Sequence, residues 1–405
     1  MRKDHFNFAD GYLPLNHGSF GTYPNRVLEY QRALQLQTEA RPDTFLRYTY
    51  PKLLDEARAA IAPLLGVQTQ EVVFVPNATT GVNTVLRNLT YKEGDVLLYF
   101  NTIYGACLKT AESIGEITPL KTRSIDIAYS ISDDEIVRLF REAVTAVKAQ
   151  GKNAKLAMFD TVLTFPGMRF PWEALVEACR ELGVISFIDG AHGVGHIDLT
   201  HLGRVSPDFF VILHVPLRNQ LLIHTTFPTS WGYETPRERT EMEPNDYFVR
   251  LFEKVSTTDN TPYLCVPAAL KFREDVCGGE EQIRRYCEWI AAEGGRCLAE
   301  ILGTDVLGSR SADGSKSCSF TNIRLPLDLR ELEGARGGDG RRIAKWIQEK
   351  TPQEYETYIP TKFYEGQFWS RVSGQIYLTV DDFETAGKIL LELCERARAG
   401  EWKLR

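Results

Sequence analysis

The fold is decided by a run of nine residues, Val184-Ile185-Ser186-Phe187-Ile188-Asp189-Gly190-Ala191-His192. Its first five residues are almost wholly apolar, which is typical of a strand buried on both faces of a parallel sheet. The strand ends in an acid, and a small turn leads from it to a histidine. Ligands of such sheets bind beyond the carboxyl ends of the strands. We therefore predict that Asp189 and His192 lie at the edge of the sheet where a site forms.

Strands and helices alternate along the chain on both sides of this run. The residue patterns predict strands over 71–75, 95–100 and 155–160, and helices over 51–65, 78–89, 105–114, 132–149 and 172–182. This alternation predicts an α/β fold with a mainly parallel, doubly wound sheet that helices cover on both faces. From about residue 262 long helices are followed by short strands, which predicts a smaller α+β domain. We expect an N-terminal arm over 1–50, a large domain over 51–261 and a small C-terminal domain over 262–405.

The composition argues against several classes of partner. The chain has 405 residues, a net charge of −7 and no long basic stretch, so nucleic acid is not an expected partner. No apolar run is long enough to span a bilayer, and the first residues lack the apolar core of a signal peptide. The eight cysteines include no Cys-x-x-Cys pair, which is typical of reduced thiols. We expect a cytoplasmic protein with no membrane segment.

Two segments that follow predicted strands offer groups for a flat ligand with a phosphate. Thr79 and Thr80 lie where a helix begins, and hydroxyls beside the free N–H groups of a helix N-terminus form an anion site. An ordinary helix cap explains the same two residues. Tyr104 follows the next strand and can stack on a ring. Packing at the start of a helix is the alternative for this side chain.

Asp189 has the chemistry to hold a pyridine ring. A carboxylate that faces the pyridine nitrogen keeps it protonated, which lets pyridoxal phosphate (PLP) accept electrons from a substrate carbanion. Asp160 and Thr161, or Thr164, end the neighbouring strand and can reach the hydroxyl of the ring. The alternative is an acidic turn with a satisfied histidine, together with ordinary turn chemistry for the threonines.

Two further interpretations concern histidines and an arginine. Five of the seven histidines fall between residues 192 and 224, but glycines separate His192 from His196 and no acidic triad joins them. We therefore predict no metal site. Arg371 lies in a predicted strand of the small domain, where a guanidinium can clamp the α-carboxylate of a substrate with two hydrogen bonds. A surface arginine is the alternative.

Taken together, these segments resemble the class V aminotransferase-like enzymes of fold type I, which depend on PLP. That family includes cysteine desulfurases and isopenicillin N epimerase-like proteins. The likeness is greatest to the fungal C–S lyases of ergothioneine biosynthesis, which act on hercynylcysteine sulfoxide. The shared stretches are Leu15-Asn16-His17-Gly18-Ser19-Phe20-Gly21, Arg41-Pro42-Asp43-Thr44-Phe45, Val73-Phe74-Val75-Pro76-Asn77-Ala78-Thr79-Thr80-Gly81-Val82-Asn83, Ile188-Asp189-Gly190-Ala191-His192-Gly193 and Pro262-Tyr263-Leu264-Cys265-Val266-Pro267-Ala268-Ala269-Leu270.

The resemblance implies PLP as the cofactor, a sulfur-bearing amino acid as the substrate and a homodimer as the assembly. It also implies a role for each candidate residue, with His192 and Tyr104 as the candidate catalytic residues beside the ring. Among the other implied roles, Thr79 and Thr80 bind the phosphate, Asp189 contacts the ring nitrogen and Thr164 contacts the ring hydroxyl. The segment from Thr258 to Thr261 approaches the phosphate of the cofactor in the partner subunit. Asn16 and His17 contact the substrate, and Arg371 clamps its carboxylate.

One residue of the family pattern is missing. In the family a His-Lys-Trp turn carries the lysine that forms a Schiff base with PLP and moves the α-proton. This chain has no lysine between Lys155 and Lys254. The predicted strand that ends at Val211 runs directly into a segment that resembles what the family has after its next strand. We predict that the lysine turn, its loop and most of a strand are deleted near Val211/Ile212, and that PLP is held non-covalently at most.

Three hypotheses follow from the missing lysine. The gene encodes a PLP-dependent C–S lyase, and this form has strongly reduced turnover. Alternatively, the chain is a non-catalytic protein that binds PLP or an amino acid and pairs with an intact paralogue. In the third hypothesis the loss of a strand from the central sheet leaves backbone groups without partners, and the product misfolds.

Overall fold

A parallel sheet of five strands forms the centre of the computed structural model, which describes residues 1–211, 213–239, 244–307, 318–332, 336 and 338–403, and only the backbone of 244 and 245. The order of the strands is β2-β1-β3-β4-β5, and all neighbours are parallel. The strands are Asp95–Phe100 (β1), Lys121–Ile125 (β2), Asn153–Asp160 (β3), Ile185–Asp189 (β4) and Phe209–Val211 (β5). The α/β prediction is therefore confirmed.

Helices cover both faces of this sheet because its strands are apolar on both sides. The helices up to β5 are Arg2–His5 (α1), Asn25–Ala40 (α2), Pro42–Thr44 (α3), Tyr50–Leu65 (α4), Ala78–Asn88 (α5), Gly105–Ile117 (α6), Asp133–Ala149 (α7), Trp172–Leu182 (α8) and Leu202–Val205 (α9). Leu98 and Ile188 pack in the same buried cluster as side chains of α7 and α8. Leu97 and Phe187 pack with side chains of α5 and α6 on the other face. This alternation of burial is that of a doubly wound sheet.

The later part of the chain builds a smaller antiparallel sheet in the order β6-β8-β7. Between β5 and this sheet the chain forms Pro236–Arg239 (α10), Pro244–Glu253 (α11), Thr261–Leu264 (α12) and Val266–Cys277 (α13); α11 packs in the core of the large sheet, and α12 and α13 pack against α2 and α4. The strands of the smaller sheet are Phe320–Arg324 (β6), Thr361–Tyr364 (β7) and Gln367–Ser373 (β8), and the helices that pack around it are Glu280–Leu302 (α14), Asp339–Glu354 (α15) and Val380–Arg398 (α16). Arg371 is buried because β8 is the central strand. The domain boundaries expected at 50/51 and 261/262 stay predictions.

The apolar run after residue 209 does not form one strand. β5 ends at Val211, and the chain then reverses, so that Phe210 and His214 exchange two backbone hydrogen bonds of 3.0 and 2.7 Å. His214 also forms an antiparallel bridge with Val72. The strand predicted over 71–75 is therefore wrong. Thr69–Glu71 is a 3₁₀ turn and Val72 makes an isolated bridge, because the returning segment is too short to support a ladder. Ile212, at the predicted join, lies outside the described residues.

β4 and β5 approach each other closely where the sheet ends, and Gly190 makes this approach possible. A Cβ atom on Gly190 would lie 2.2 Å from the carbonyl oxygen of Val211 and 2.3 Å from the ring of Phe210. No side chain fits there without displacing backbone. Among the described residues, no helix is long and apolar enough to cross a membrane.

We expect Gly190→Ala to lower the free energy of unfolding by about 1–3 kcal/mol, because overpacking displaces the backbone of β5. Gly105→Ala is the matched control, since Gly105 begins α6 and a Cβ on it meets nothing within 4 Å. Alanine has the higher helix propensity, so this control should be neutral or stabilising by up to about 1 kcal/mol. Urea unfolding of the two variants beside the parent chain measures both values. Equal stability of the two variants would contradict the close approach of Gly190 to the end of β5.

Candidate functional site

Two buried carboxyl groups lie side by side at the carboxyl ends of β3 and β4. Asp160 and Asp189 are adjacent in the register of the sheet, and each is 4% exposed. Oδ1 of Asp189 accepts a hydrogen bond from the N–H of Ala191 at 3.0 Å, and Oδ2 accepts one from the thiol of Cys107 at 3.2 Å. Burial raises the pKa of both carboxyl groups, and the charge of Asp189 raises that of Asp160 further. No described cationic side chain bonds to either carboxyl group, so the pair would be stabilised by a cation.

His192 and Thr164 lie together near this pair. Nε2 of His192 is 3.3 Å from the hydroxyl of Thr164, and the imidazole packs edge-on against the ring of Phe320. Burial and the charge of Arg371 hold the pKa of His192 at about 4, so the imidazole is neutral at neutral pH. A neutral imidazole and a hydroxyl can each donate a hydrogen bond to a ligand hydroxyl or accept one from it.

Arg371 connects the smaller sheet to the same site. Its Nη1 donates to the carbonyl oxygen of Thr164 at 2.6 Å, and its Nη2 donates to Asn16 Oδ1 at 3.1 Å and Ser19 Oγ at 2.8 Å. The Nε atom has no partner among the described residues, although the side chain is 2% exposed. Burial lowers the pKa of Arg371 to about 10, which leaves it charged at neutral pH. The arginine is therefore not a surface residue, and a buried cation with an unused donor suits an anionic group.

The N-terminal arm contributes His17 as well as Asn16. Nδ1 of His17 is 2.7 Å from the hydroxyl of Tyr377, and burial with the charge of Arg273 holds the pKa of His17 at about 4. The structure thus brings Asn16, Arg371, Thr164 and His192 into one contiguous group. These residues are far apart in the sequence.

Thr79, Thr80 and Tyr104 lie at the N-termini of α5 and α6. Asn77 caps α5, since its Oδ1 accepts hydrogen bonds from the N–H and the hydroxyl of Thr80 at 2.8 and 3.0 Å. The hydroxyl of Thr79 has no partner among the described residues and is available to an anion. Tyr104 is the N-cap residue of α6 and is 47% exposed, so its side chain is accessible to a ligand.

The two threonines predicted to approach a partner subunit differ in exposure. Thr258 is exposed and lines a groove of about 150 Å³ together with Thr80 of the same chain. Thr261 is 4% exposed, and its hydroxyl donates to Asp259 Oδ1 at 2.6 Å. Of the two, only the hydroxyl of Thr258 is near the surface. Its side chain already donates to Asn260 at 2.8 Å.

Sequence reasoning missed several residues of this region. Cys107 lies one helical turn after Tyr104, and that spacing is a signal that could have placed it on the same face. Arg273 and His196 line a cavity of about 360 Å³ beside His192. No sequence pattern relates Arg273 on α13 to the histidines. Among the described residues, no group of three or more histidine, cysteine or acidic side chains has the geometry to hold a metal ion.

Comparison with known proteins identifies the family. The family described as Aminotransferase class-V matches residues 38–212. An "L-cysteine desulfhydrase-like protein lolT1" from Epichloe uncinata is 34% identical, and the alignment covers 95% of this chain and 93% of that protein. The chain belongs to the class V aminotransferase family. The family match ends at residue 212, next to the predicted join at Val211/Ile212.

Other members of the class V family and solved structures extend this comparison. "Hercynylcysteine sulfoxide lyase" from Schizosaccharomyces pombe is 28% identical over 97% of both chains. A solved complex of "the cystine C-S lyase C-DES" with cysteine persulfide has a TM-score of 0.77 at 18% identity, covering 95% of this chain and 98% of that one. A lysine-to-alanine mutant of C-DES, with glycine covalently linked to its PLP cofactor, has a TM-score of 0.73 at 18% identity and covers 96% of this chain and 97% of its own. The fold-type I prediction is confirmed by these likenesses.

Proposed function

We propose that this chain is a PLP-binding protein of the C–S lyase type whose ligand is a sulfur-bearing amino acid. The observation that carries the proposal is the buried carboxyl pair at the ends of β3 and β4, in the same region as His192, Thr164 and Arg371, which contact one another. A buried acid pair needs a cation, and a protonated pyridine supplies one. The relatives named as cysteine desulfhydrase-like and hercynylcysteine sulfoxide lyase support the choice of substrate class.

The residues present fit the cofactor without a covalent bond. In this proposal Asp189 holds the protonated ring nitrogen, and Thr164 with His192 holds the ring hydroxyl. Tyr104 covers one face of the ring, while Thr79 and Thr80 hold the phosphate at the N-terminus of α5. When bound, PLP supplies the electron sink for cleavage beyond the α-carbon. Arg371 then orients the α-carboxylate of the amino acid, and Asn16 and His17 line its approach.

We further propose that turnover is strongly reduced in the chain as it stands. β5 ends at Val211 directly beside Asp189, and no lysine follows before Lys254. The alignment with the lolT1 protein runs over 423 positions, more than the 405 residues of this chain, so that relative contains residues that this chain lacks. The lack of a lysine after Val211 supports a deletion at Val211/Ile212, and the length of the alignment supports missing residues without placing them. The group that moves the α-proton would then be absent.

The proposal is tested by adding PLP to the purified chain, removing free PLP by gel filtration and measuring the PLP retained. Retention of about one PLP per chain is expected, followed by very slow release of pyruvate from S-propyl-L-cysteine. The absence of any retained PLP would contradict the binding proposal. Turnover of about 1–10³ s⁻¹, the usual range for enzymes, would contradict the loss of activity.

A second candidate function is a non-catalytic subunit that pairs with an intact paralogue. The missing lysine favours it, and so do exposed apolar side chains, of which Trp231 is 94% and Leu221 59% exposed. Exposed apolar patches are common at protein interfaces. Light scattering with tagged co-purification distinguishes the assemblies. A homodimer, the arrangement we propose first, gives twice the chain mass, whereas recovery of a lysine-bearing partner supports the mixed assembly.

A further inference from the structure

The cavity beside His192 has features that the proposed cofactor site does not use. It has a volume of about 360 Å³, which lies within the range of pockets that hold small ligands. Its walls come from the N-terminal arm, the segment after β4, α13 with α14, and the segment after β8. Ser19, which binds Arg371, lines the cavity, so the cavity begins beside the clamp for the α-carboxylate.

Arg273 is the one charged residue among the described residues that line this cavity. Glu280 accepts hydrogen bonds from its Nε and, at 2.6 Å, from its Nη2. Nη1 has no acceptor among the described residues. The ion pair with Glu280 therefore fixes the guanidinium and leaves one nitrogen free for a ligand.

Gln375 supplies a second donor on the cavity wall. Its Oε1 accepts a hydrogen bond from the N–H of Ile376 at 2.7 Å and lies 3.7 Å from the thiol of Cys287. These contacts assign the amide oxygen, so Nε2 is the donor, and it has no acceptor in the described part of the chain. Two donors without acceptors in one cavity suit an oxygen anion.

The histidines of the cavity add hydrogen-bonding groups but no charge. Burial and neighbouring cations hold the pKa of His17 and His192 at about 4, and that of His196 at about 3. Nε2 of His196 accepts a hydrogen bond from the N–H of Ser319 at 2.7 Å, which requires the neutral imidazole. The charged groups at the cavity are therefore the guanidinium of Arg273 in its wall, which is paired with Glu280, and that of Arg371, which adjoins the cavity through Ser19.

We propose that this cavity holds the sulfur substituent of the amino acid, and that Arg273 with Gln375 selects a substituent that ends in a carboxylate. The inference rests on the proposed function, because it assumes that Arg371 holds the α-carboxylate. A substrate with two carboxylates would meet one guanidinium with each.

The test compares two ligands of similar length, S-(2-carboxyethyl)-L-cysteine and S-propyl-L-cysteine, by isothermal titration calorimetry with the PLP-loaded chain at pH 7.5. We expect the acidic ligand to bind at least about tenfold more tightly, because a charged hydrogen bond is lost with the neutral one. Arg273→Met should remove this preference. Arg285→Met is the matched control, since its side chain is 70% exposed on α14, and it should retain the preference.

A second variant keeps the test informative if Arg273→Met does not fold. Gln375→Leu removes one donor without disturbing the pair between Arg273 and Glu280, and it should reduce the preference at least about threefold. Equal binding of both ligands to the parent chain would overturn the selectivity and leave the proposed function intact. Failure of both ligands to bind, with PLP retained, would overturn the proposed function itself.

Discussion

Restoring a lysine-bearing turn after Val211 is expected to raise turnover of S-substituted cysteine by about 10²–10⁴-fold, the usual contribution of a positioned acid–base group. The inserted turn would carry the His-Lys-Trp sequence that the resemblance to the family implies. β5 is the place for it, because Val211 is paired with Asp189 in the register of the sheet. A residue that follows Val211 therefore emerges at the same edge as the carboxyl pair.

The control for this experiment is the same insertion with alanine in place of its lysine. It separates the effect of the side chain from that of repairing the sheet, since both insertions lengthen the hairpin that now reverses between Phe210 and His214. Equal activity of the two inserted chains would contradict the role of the lysine. A gain in stability without a gain in activity would instead favour the non-catalytic subunit.

Sequencing the transcript across the codons of Val211 and Ile212 tests the proposed deletion and its origin. A longer message that contains the turn would mean that the active enzyme is made and that the short chain is a splicing variant or an error in the gene model. A short message alone would mean that the protein itself has lost the residue.

The sequence was sufficient for the architecture because the signals for it are local. The apolar run that ends in Asp189 and the helix that begins after Asn77 each carry their own pattern, and the structure has β4 and α5 there. The pairing at the edge of the sheet, in contrast, does not follow from a local pattern. Whether residues 71–75 form a strand depends on the segment that pairs with them, and a segment of only a few residues supports only an isolated bridge.

The candidate site was only partly predictable for a related reason. Asp189, His192 and Arg371 could be proposed from the sequence because each residue type suits a ligand site at a strand end or in a strand, and their roles stay predictions. Arg273 was missed because its relevance depends on how α13 packs against the N-terminal arm and the segment after β4. The burial of Arg371 could likewise not be predicted from the sequence, because it depends on the position of β8 between β6 and β7.

Asp189→Asn is expected to weaken PLP binding by about 10–100-fold, because a charge-assisted hydrogen bond of about 1.5–3 kcal/mol is lost. The same change should stabilise the PLP-free chain, since one of two adjacent buried acids is replaced by a neutral amide that still accepts from Ala191. Opposite effects on ligand affinity and stability are typical of groups that serve binding. Fluorescence titration with PLP and urea unfolding measure the two quantities on the same preparation.

The stability of the parent chain and of Asp189→Asn should depend on pH in different ways. The pKa of each carboxyl group is raised in the folded chain, so above the ordinary value of 3.8 the folded state binds more protons than the unfolded state. The free energy of unfolding of the parent chain therefore loses this contribution as the pH rises from 3.8 through the raised pKa values. The free energy of unfolding of Asp189→Asn should fall less over the same pH range. Its gain in stability over the parent chain should therefore be larger at pH 8 than at pH 5.

Asp160→Asn is the matched control, because it removes one acid of the same pair but leaves Asp189 to contact the ring nitrogen. It should stabilise the chain with a smaller loss of PLP affinity than Asp189→Asn, and an equal loss of affinity in both variants would contradict the assignment of Asp189.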